Sequence, residues 1–75
     1  MNYEVIVQLK KEVLDPEGRA IQETLSRLGF SGLKQVTVSK RYVLEVAEGD
    51  QSAVENIARE YLANPVSETF QIRKL

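Results

Sequence analysis

The side chains that most often do chemistry at neutral pH are missing from these 75 residues, which contain no histidine and no cysteine. Neither an imidazole base nor a thiolate nucleophile is available, and the two commonest transition-metal ligands are absent with them. Ser26, Ser31, Ser39, Ser52 and Ser67 stand at turns or on helix surfaces, where caps and loops account for them better than nucleophilic roles. The four glycines are isolated, so no phosphate-cradling loop exists. Among the carboxylates, Asp15 directly precedes Pro16 and has the position of a helix N-cap, which explains it without any catalytic role. Glu68 is read first as solvated surface charge and second as a partner for Lys or Arg on another protein. Lys40 and Arg41 are adjacent cations at an expected hairpin tip, suited to an anion or an acidic patch. What chemistry remains is recognition.

The elements that position these residues follow from hydrophobic periodicity. Tyr3, Val5, Val7 and Leu9 alternate with Glu4, Ile6 and Gln8, the pattern of a strand with one buried face. Asp15 and Pro16 open a helix in which Ala20, Ile21, Leu25 and Leu28 recur at helical spacing, and Gly29 closes it as a left-handed cap. The stretch from Leu33 to Ala47 reads as two strands joined by a three-residue loop, Ser39-Lys40-Arg41. That loop keeps Val36, Val38, Tyr42, Leu44 and Val46 on one face. A second helix starts at Asp50 or Ser52, with Ser52 and Glu55 spaced as a capping box, and carries Val54, Ile57, Ala58, Tyr61 and Leu62 on one side. Asn64-Pro65 ends it, and a last strand holds Phe70 and Ile72. The expected fold is therefore α+β, a ferredoxin-like βαββαβ two-layer sandwich over residues 1–75. It would have a four-stranded antiparallel sheet with two helices on one face.

Size and charge narrow the function classes. A domain this small buries only about 60% of its unfolded surface and usually needs disulfides, a metal or oligomerisation for support. The first two lack their residues, which leaves self-association as a homodimer or higher homo-oligomer. In the expected topology Ile6 and Val43 lie together on the uncovered sheet face and are the candidate self-association residues. Ten basic and eleven acidic residues are interspersed to a net charge of -1, so no basic face favours nucleic acid. An RNA-recognition module would need aromatics where Glu4, Ile6, Gln8, Val43 and Glu45 stand. No signal-like segment opens the chain and no apolar run nears bilayer length, so a cytoplasmic protein with no membrane partner is expected.

Three blocks suggest a family. Leu9-Lys10-Lys11-Glu12-Val13-Leu14-Asp15-Pro16-Glu17-Gly18 is followed by Val36-Thr37-Val38-Ser39-Lys40 with Leu44 and Val46, then by Leu62-Ala63-Asn64-Pro65-Val66 with Glu68. In this order and spacing they resemble the PurS family, the small subunit of phosphoribosylformylglycinamidine synthase, across nearly the whole chain. Ser39 stands where that family often has glycine, and Ser67-Glu68-Thr69-Phe70 replaces a more usual Ile-Glu-Asp-Tyr. The resemblance implies a non-catalytic assembly subunit in de novo purine biosynthesis. The complex converts formylglycinamide ribonucleotide, glutamine and ATP to formylglycinamidine ribonucleotide. This subunit would help a glutaminase subunit and a large synthetase subunit associate and pass ammonia. No cofactor is expected in this chain, with ATP and Mg held by the synthetase subunit. Lys40, Arg41, Tyr42, Asn64, Pro65 and Glu68 are the candidate partner-interface residues. The competing reading, from topology and size alone, is a stand-alone ACT-like regulatory domain that binds a small ligand.

Overall fold

A computed structural model describes residues 1–75. The central strand is β1 (Asn2–Leu9), and it pairs antiparallel with β2 (Ser39–Glu45) on one side and β3 (Glu68–Lys74) on the other. Val5 lies between Tyr42 and Ile72, and Val7 lies between Lys40 and Phe70. The odd residues of β1 thus share a face with Tyr42, Leu44, Phe70 and Ile72, because directly opposed residues in a ladder always project to the same side.

Helix α2 (Gln51–Ile57) covers that face. Val5, Val7, Val54 and Ala58 form the buried core, with Tyr3, Tyr42, Leu44, Val46, Leu62, Ala63, Phe70 and Ile72 packed around it. Beyond Ile57 the helix widens into a π turn over Ala58–Leu62, where the Ala63 N–H donates to the Ala58 carbonyl five residues back at 2.9 Å. The wider turn rotates the last residues. Leu62 keeps its place against the core, but Tyr61, expected beside it, is 79% exposed. The Ser52 capping box does not form. Asp50 is the N-cap, and Ser52 lies inside the helix.

Helix α1 (Pro16–Arg27) starts where its sequence says it should. The Gly18 N–H donates to Asp15 Oδ1 at 2.8 Å, Pro16 occupies the first turn, and Gly29 adopts φ 103° beyond the end. The Phe30 N–H donates to the Leu25 carbonyl, although the Phe30 ring stays exposed.

Two expectations about the middle of the chain are corrected. The sheet has three strands, in the order β2-β1-β3, and the segment around Val36 and Val38 belongs to none of them. Ser39, Lys40 and Arg41 are not a hairpin loop either. They are the first residues of β2, paired with Gln8, Val7 and Ile6. The physical reason is local. No residue there is a glycine or takes a positive φ, so the left-handed position of a three-residue hairpin has no occupant. The chain passes straight through, and residues 33–38 are held away from the sheet against α1.

That contact is close. Val38 N–H donates to Asp15 Oδ2 at 2.8 Å, and Gln22 Nε2 donates to the Lys34 carbonyl at 3.2 Å. A Cβ on Gly18 would sit 2.0 Å from the Val36 carbonyl oxygen. Gly18 is the sole buried residue of α1, and the helix contributes nothing to the core. A third correction follows from this: α2, not a pair of helices, covers the sheet. The molecule is elongated, 51 × 25 × 13 Å, with a Cα radius of gyration of 15.8 Å. A compact chain of this length would have about 11 Å.

Gly18→Ala is predicted to destabilise the α1 arm by about 1–3 kcal/mol, the usual result of forcing a methyl group into backbone that cannot give way. Urea titration followed by circular dichroism checks this, since the loss appears as early melting of helical signal.

Candidate interface surface

The candidate residues do not form one patch. Lys40 and Glu68 line a common open groove of about 430 Å³ between the end of β1, the loop before α1 and the start of β2, together with Leu9, Val13, Asp15 and Val38. Asp15 stands in this groove as a clamp. Its carboxyl is held below the usual carboxylate range first by the Gly18 N–H and then by the Val38 N–H, with burial opposing.

Asn64, Pro65 and Glu68 make the turn into β3. Val66 N–H donates to Asn64 Oδ1 at 2.9 Å, Asn64 N–H donates to Glu68 Oε1 at 2.7 Å, and Glu68 N–H returns to the Asn64 carbonyl at 2.8 Å. An Asx-type turn of this kind explains both side chains within the chain itself. It leaves Val66 at its tip, 82% exposed. Tyr42 is half-buried against the core.

Arg41 lies on the opposite face of the sheet, where the sequence singled out only Ile6 and Val43. Ile6 pairs across to Arg41, and Glu4 pairs to Val43, so Ile6 and Val43 are diagonal neighbours. Val43 is 48% exposed and Ile6 is half-buried. Between them sits the charge that sequence reasoning missed. Glu4 is 5% exposed although no helix covers this face, because Arg41 and Arg73 lie over it. Arg41 Nε donates to Glu4 Oε2, and Arg73 Nη2 donates to the same oxygen at 3.4 Å. These bonds, the Arg41 one foremost, hold the Glu4 carboxyl below its usual range against the opposing effect of burial. Only the register brings the two arginines onto either side of Glu4, and register is not legible from one strand at a time.

No three His, Cys, Asp or Glu side chains gather into a potential metal site, and no helix is long and apolar enough to cross a membrane. The surface instead offers apolar side chains: Leu14 is 76% exposed, Leu28 69% and Phe30 59%. Exposed apolar side chains of this kind are the usual raw material of protein contacts.

Comparison with known proteins gives the family. Residues 2–75 match the family model PurS, described as phosphoribosylformylglycinamidine (FGAM) synthase. The chain belongs to the PurS family. The FGAM synthase subunit PurS of Mycobacterium leprae is 42% identical over 71 residues, 93% of this chain and 90% of that one. The same subunit from Methanocaldococcus jannaschii is 40% identical over 74 residues, 92% and 88% of the two chains. Its crystal structure superposes with a TM-score of 0.84, covering 96% of this chain and 92% of that chain at 39% identity. A structure of PurLQS from Thermotoga maritima contains a chain that matches at TM-score 0.77 and 26% identity, over 99% of this chain and 95% of that one. The family assignment expected from the three sequence blocks is thereby shown. PurS-family members are named as subunits of FGAM synthase, so this chain is counted as part of that enzyme.

The Glu4 cluster yields a pH prediction. A carboxyl whose folded pKa lies below its ordinary 4.5 adds stability that is complete above 4.5 and is lost as pH falls through the folded value. Glu4→Gln is therefore expected to lower stability at pH 7, with the gap to the native protein closing as the pH drops below 4.5. Thermal melts between neutral pH and pH 3 measure that convergence, and a gap independent of pH contradicts it.

Proposed function

We propose that residues 1–75 act as one PurS-like assembly domain in a cytoplasmic FGAM synthase complex, where the chain self-associates and brings a glutaminase subunit and a large synthetase subunit together. Ammonia released at the first site would then reach the second without loss to solvent. ATP and Mg belong to the synthetase subunit in this reading. The observation that carries it is the match, along nearly its entire length, to a chain of a structure named PurLQS. A chain with no histidine, cysteine or metal cluster suits a scaffolding role. The relatives are named as synthase subunits, which favours this reading over a stand-alone ACT-like domain.

For contact with the other subunits we favour the groove side, where Lys40 and Glu68 meet next to the Asn64-Pro65 turn and the exposed Val66. Arg41 and Tyr42 are held by Glu4 and by the core, and would support that surface rather than form it.

The test is amidine synthesis by purified glutaminase and synthetase subunits of the same source, with and without this chain. Glutamine-dependent activity is expected to require the chain, while activity with free ammonia is expected not to. Loss of neither activity, with no complex on size-exclusion chromatography, contradicts the proposal. Lys40→Glu should raise several-fold the concentration of chain needed for half-maximal glutamine-dependent rate and leave the ammonia rate unchanged.

A further inference from the structure

The outer edge of β3 has no neighbouring strand within the chain. Lys10 N–H donates to the Ser67 carbonyl and Leu75 N–H to the Asn2 carbonyl, each at 2.9 Å, so both pairs belong to the hydrogen-bonded class. Such pairs alternate along an antiparallel ladder, which places Thr69, Gln71 and Arg73 in the class bonded toward β1. Phe70, Ile72 and Lys74 then aim their N–H and C=O groups outward. The ladder runs unbroken from Glu68 to Lys74, and neither a proline nor a bulge blunts the edge. An edge left in this state is a template for another strand.

The residues of this strand say what the edge accepts. Glu68-Thr69-Phe70-Gln71-Ile72-Arg73-Lys74 is self-complementary about Gln71. Two antiparallel copies with Gln71 opposite Gln71 set Phe70 against Ile72, Glu68 against Lys74 and Thr69 against Arg73. Outward backbone groups then meet outward groups, because even residues oppose even ones. The apolar pairs fall on the core-facing side, where Phe70 and Ile72 already pack but are only half-buried. Opposite charges meet at both ends, and neither Glu68 nor Lys74 has an ion-pair partner within the chain. Glu68 Oε1 accepts from the Asn64 N–H, which leaves its second oxygen for the lysine.

Backbone matching, apolar pairing and charge pairing are separate conditions, and one register meets all of them. Centring on Ile72 would set Phe70 against Lys74, and centring on Phe70 would set Glu68 against Ile72. Either puts a charge against an apolar side chain. A shallow opening of about 310 Å³ beside Phe70, flanked by Arg59, Ala63 and Pro65, gives the opposing Ile72 space on the core-facing side.

We infer that the β3 edge is a contact between copies of this chain, in which β3 of one copy pairs antiparallel with β3 of a second about a two-fold axis at Gln71. The inference rests on the self-association proposed above and adds a surface and a register to it. Ile6 and Val43, on the open face of the sheet, take no part in this contact. The edge adjoins the groove favoured for the other subunits only at Glu68, so the two surfaces do not coincide. One edge of seven residues makes a small interface, so the pairing is weak and is populated at high chain concentration.

The cysteine-free chain allows a direct test with Gln71→Cys in the full-length protein. The two-fold brings position 71 opposite itself on the open face, at about 4.5 Å between Cα atoms and within disulfide reach. Thr69→Cys is the control, on the same face of the same strand but about 13 Å from its own counterpart. Under mild diamide oxidation at hundreds of micromolar chain, Gln71→Cys is expected to form a dimer that thiol dissolves, and Thr69→Cys several-fold less of it. Adding Lys74→Glu to Gln71→Cys should lower the yield several-fold, since it sets two carboxylates together at each end. Equal crosslinking of the two cysteine variants overturns the inference, because random encounter would give that result. No crosslink from either, with the native chain dimeric by light scattering, overturns the β3 edge and leaves self-association through another surface. A native chain that is monomeric by light scattering overturns self-association itself. If Gln71→Cys does not crosslink and Lys74→Glu prevents assembly with the glutaminase and synthetase subunits, the edge takes a strand from one of those subunits and the inference is overturned.

Discussion

The ladder between β1 and β2 continues through Lys40 and Ser39, opposite Val7 and Gln8, and much of the molecule is arranged around that short extension. Two strands that pair this far leave no residues free for a turn, and Ser39-Lys40-Arg41 has no glycine to make one. The chain before Ser39 is therefore carried past the end of the sheet instead of back along it. The Asp15 carboxylate fixes the consequence. By accepting from Gly18 N–H and Val38 N–H together it caps α1 and ties that helix to the departing segment. The approach is close enough that only glycine fits at position 18.

From this one extension come the open β2 edge, the helix that covers no sheet and the elongated shape. The residues that do bury, Val5, Val7, Val54 and Ala58, form a small core for a chain of this length. A domain with so little interior is of modest stability, and it leaves apolar side chains such as Leu14, Leu28 and Phe30 uncovered. The chain has no cysteine to form a disulfide, and self-association is the support proposed above. The elongated shape and the exposed apolar side chains fit the assembly role proposed for this PurS-family chain.

Much of the local structure was legible in the residues. The alternation of β1, the Asp15-Pro16 start of α1, the Gly29 cap and the buried Val54 and Ala58 all follow from period and capping chemistry. What failed was non-local. Val36 and Val38 have the right alternation for a strand, but alternation does not reveal whether a neighbour is there, and in this fold the segment pairs with no strand. The π turn after Ile57 moved Tyr61 outward, a change of a single residue in the helical count that no periodic template contains. Glu4 looked like an ordinary solvent-face carboxylate until the register placed Arg41 and Arg73 beside it. Of the candidate interface residues, Lys40 and Glu68 line one groove. Asn64 proves to be occupied in shaping its own turn, and Tyr42 in packing the core.

If apolar surface left uncovered by one copy is what this chain relies on association to bury, folding and assembly are one equilibrium, and stability must depend on concentration. Thermal unfolding measured from low micromolar to hundreds of micromolar chain tests this most directly, with mass by light scattering at each end. The midpoint is expected to rise steadily with concentration as the associated form is favoured. A midpoint that stays constant across the range, for a chain that remains a monomer throughout, would contradict the account.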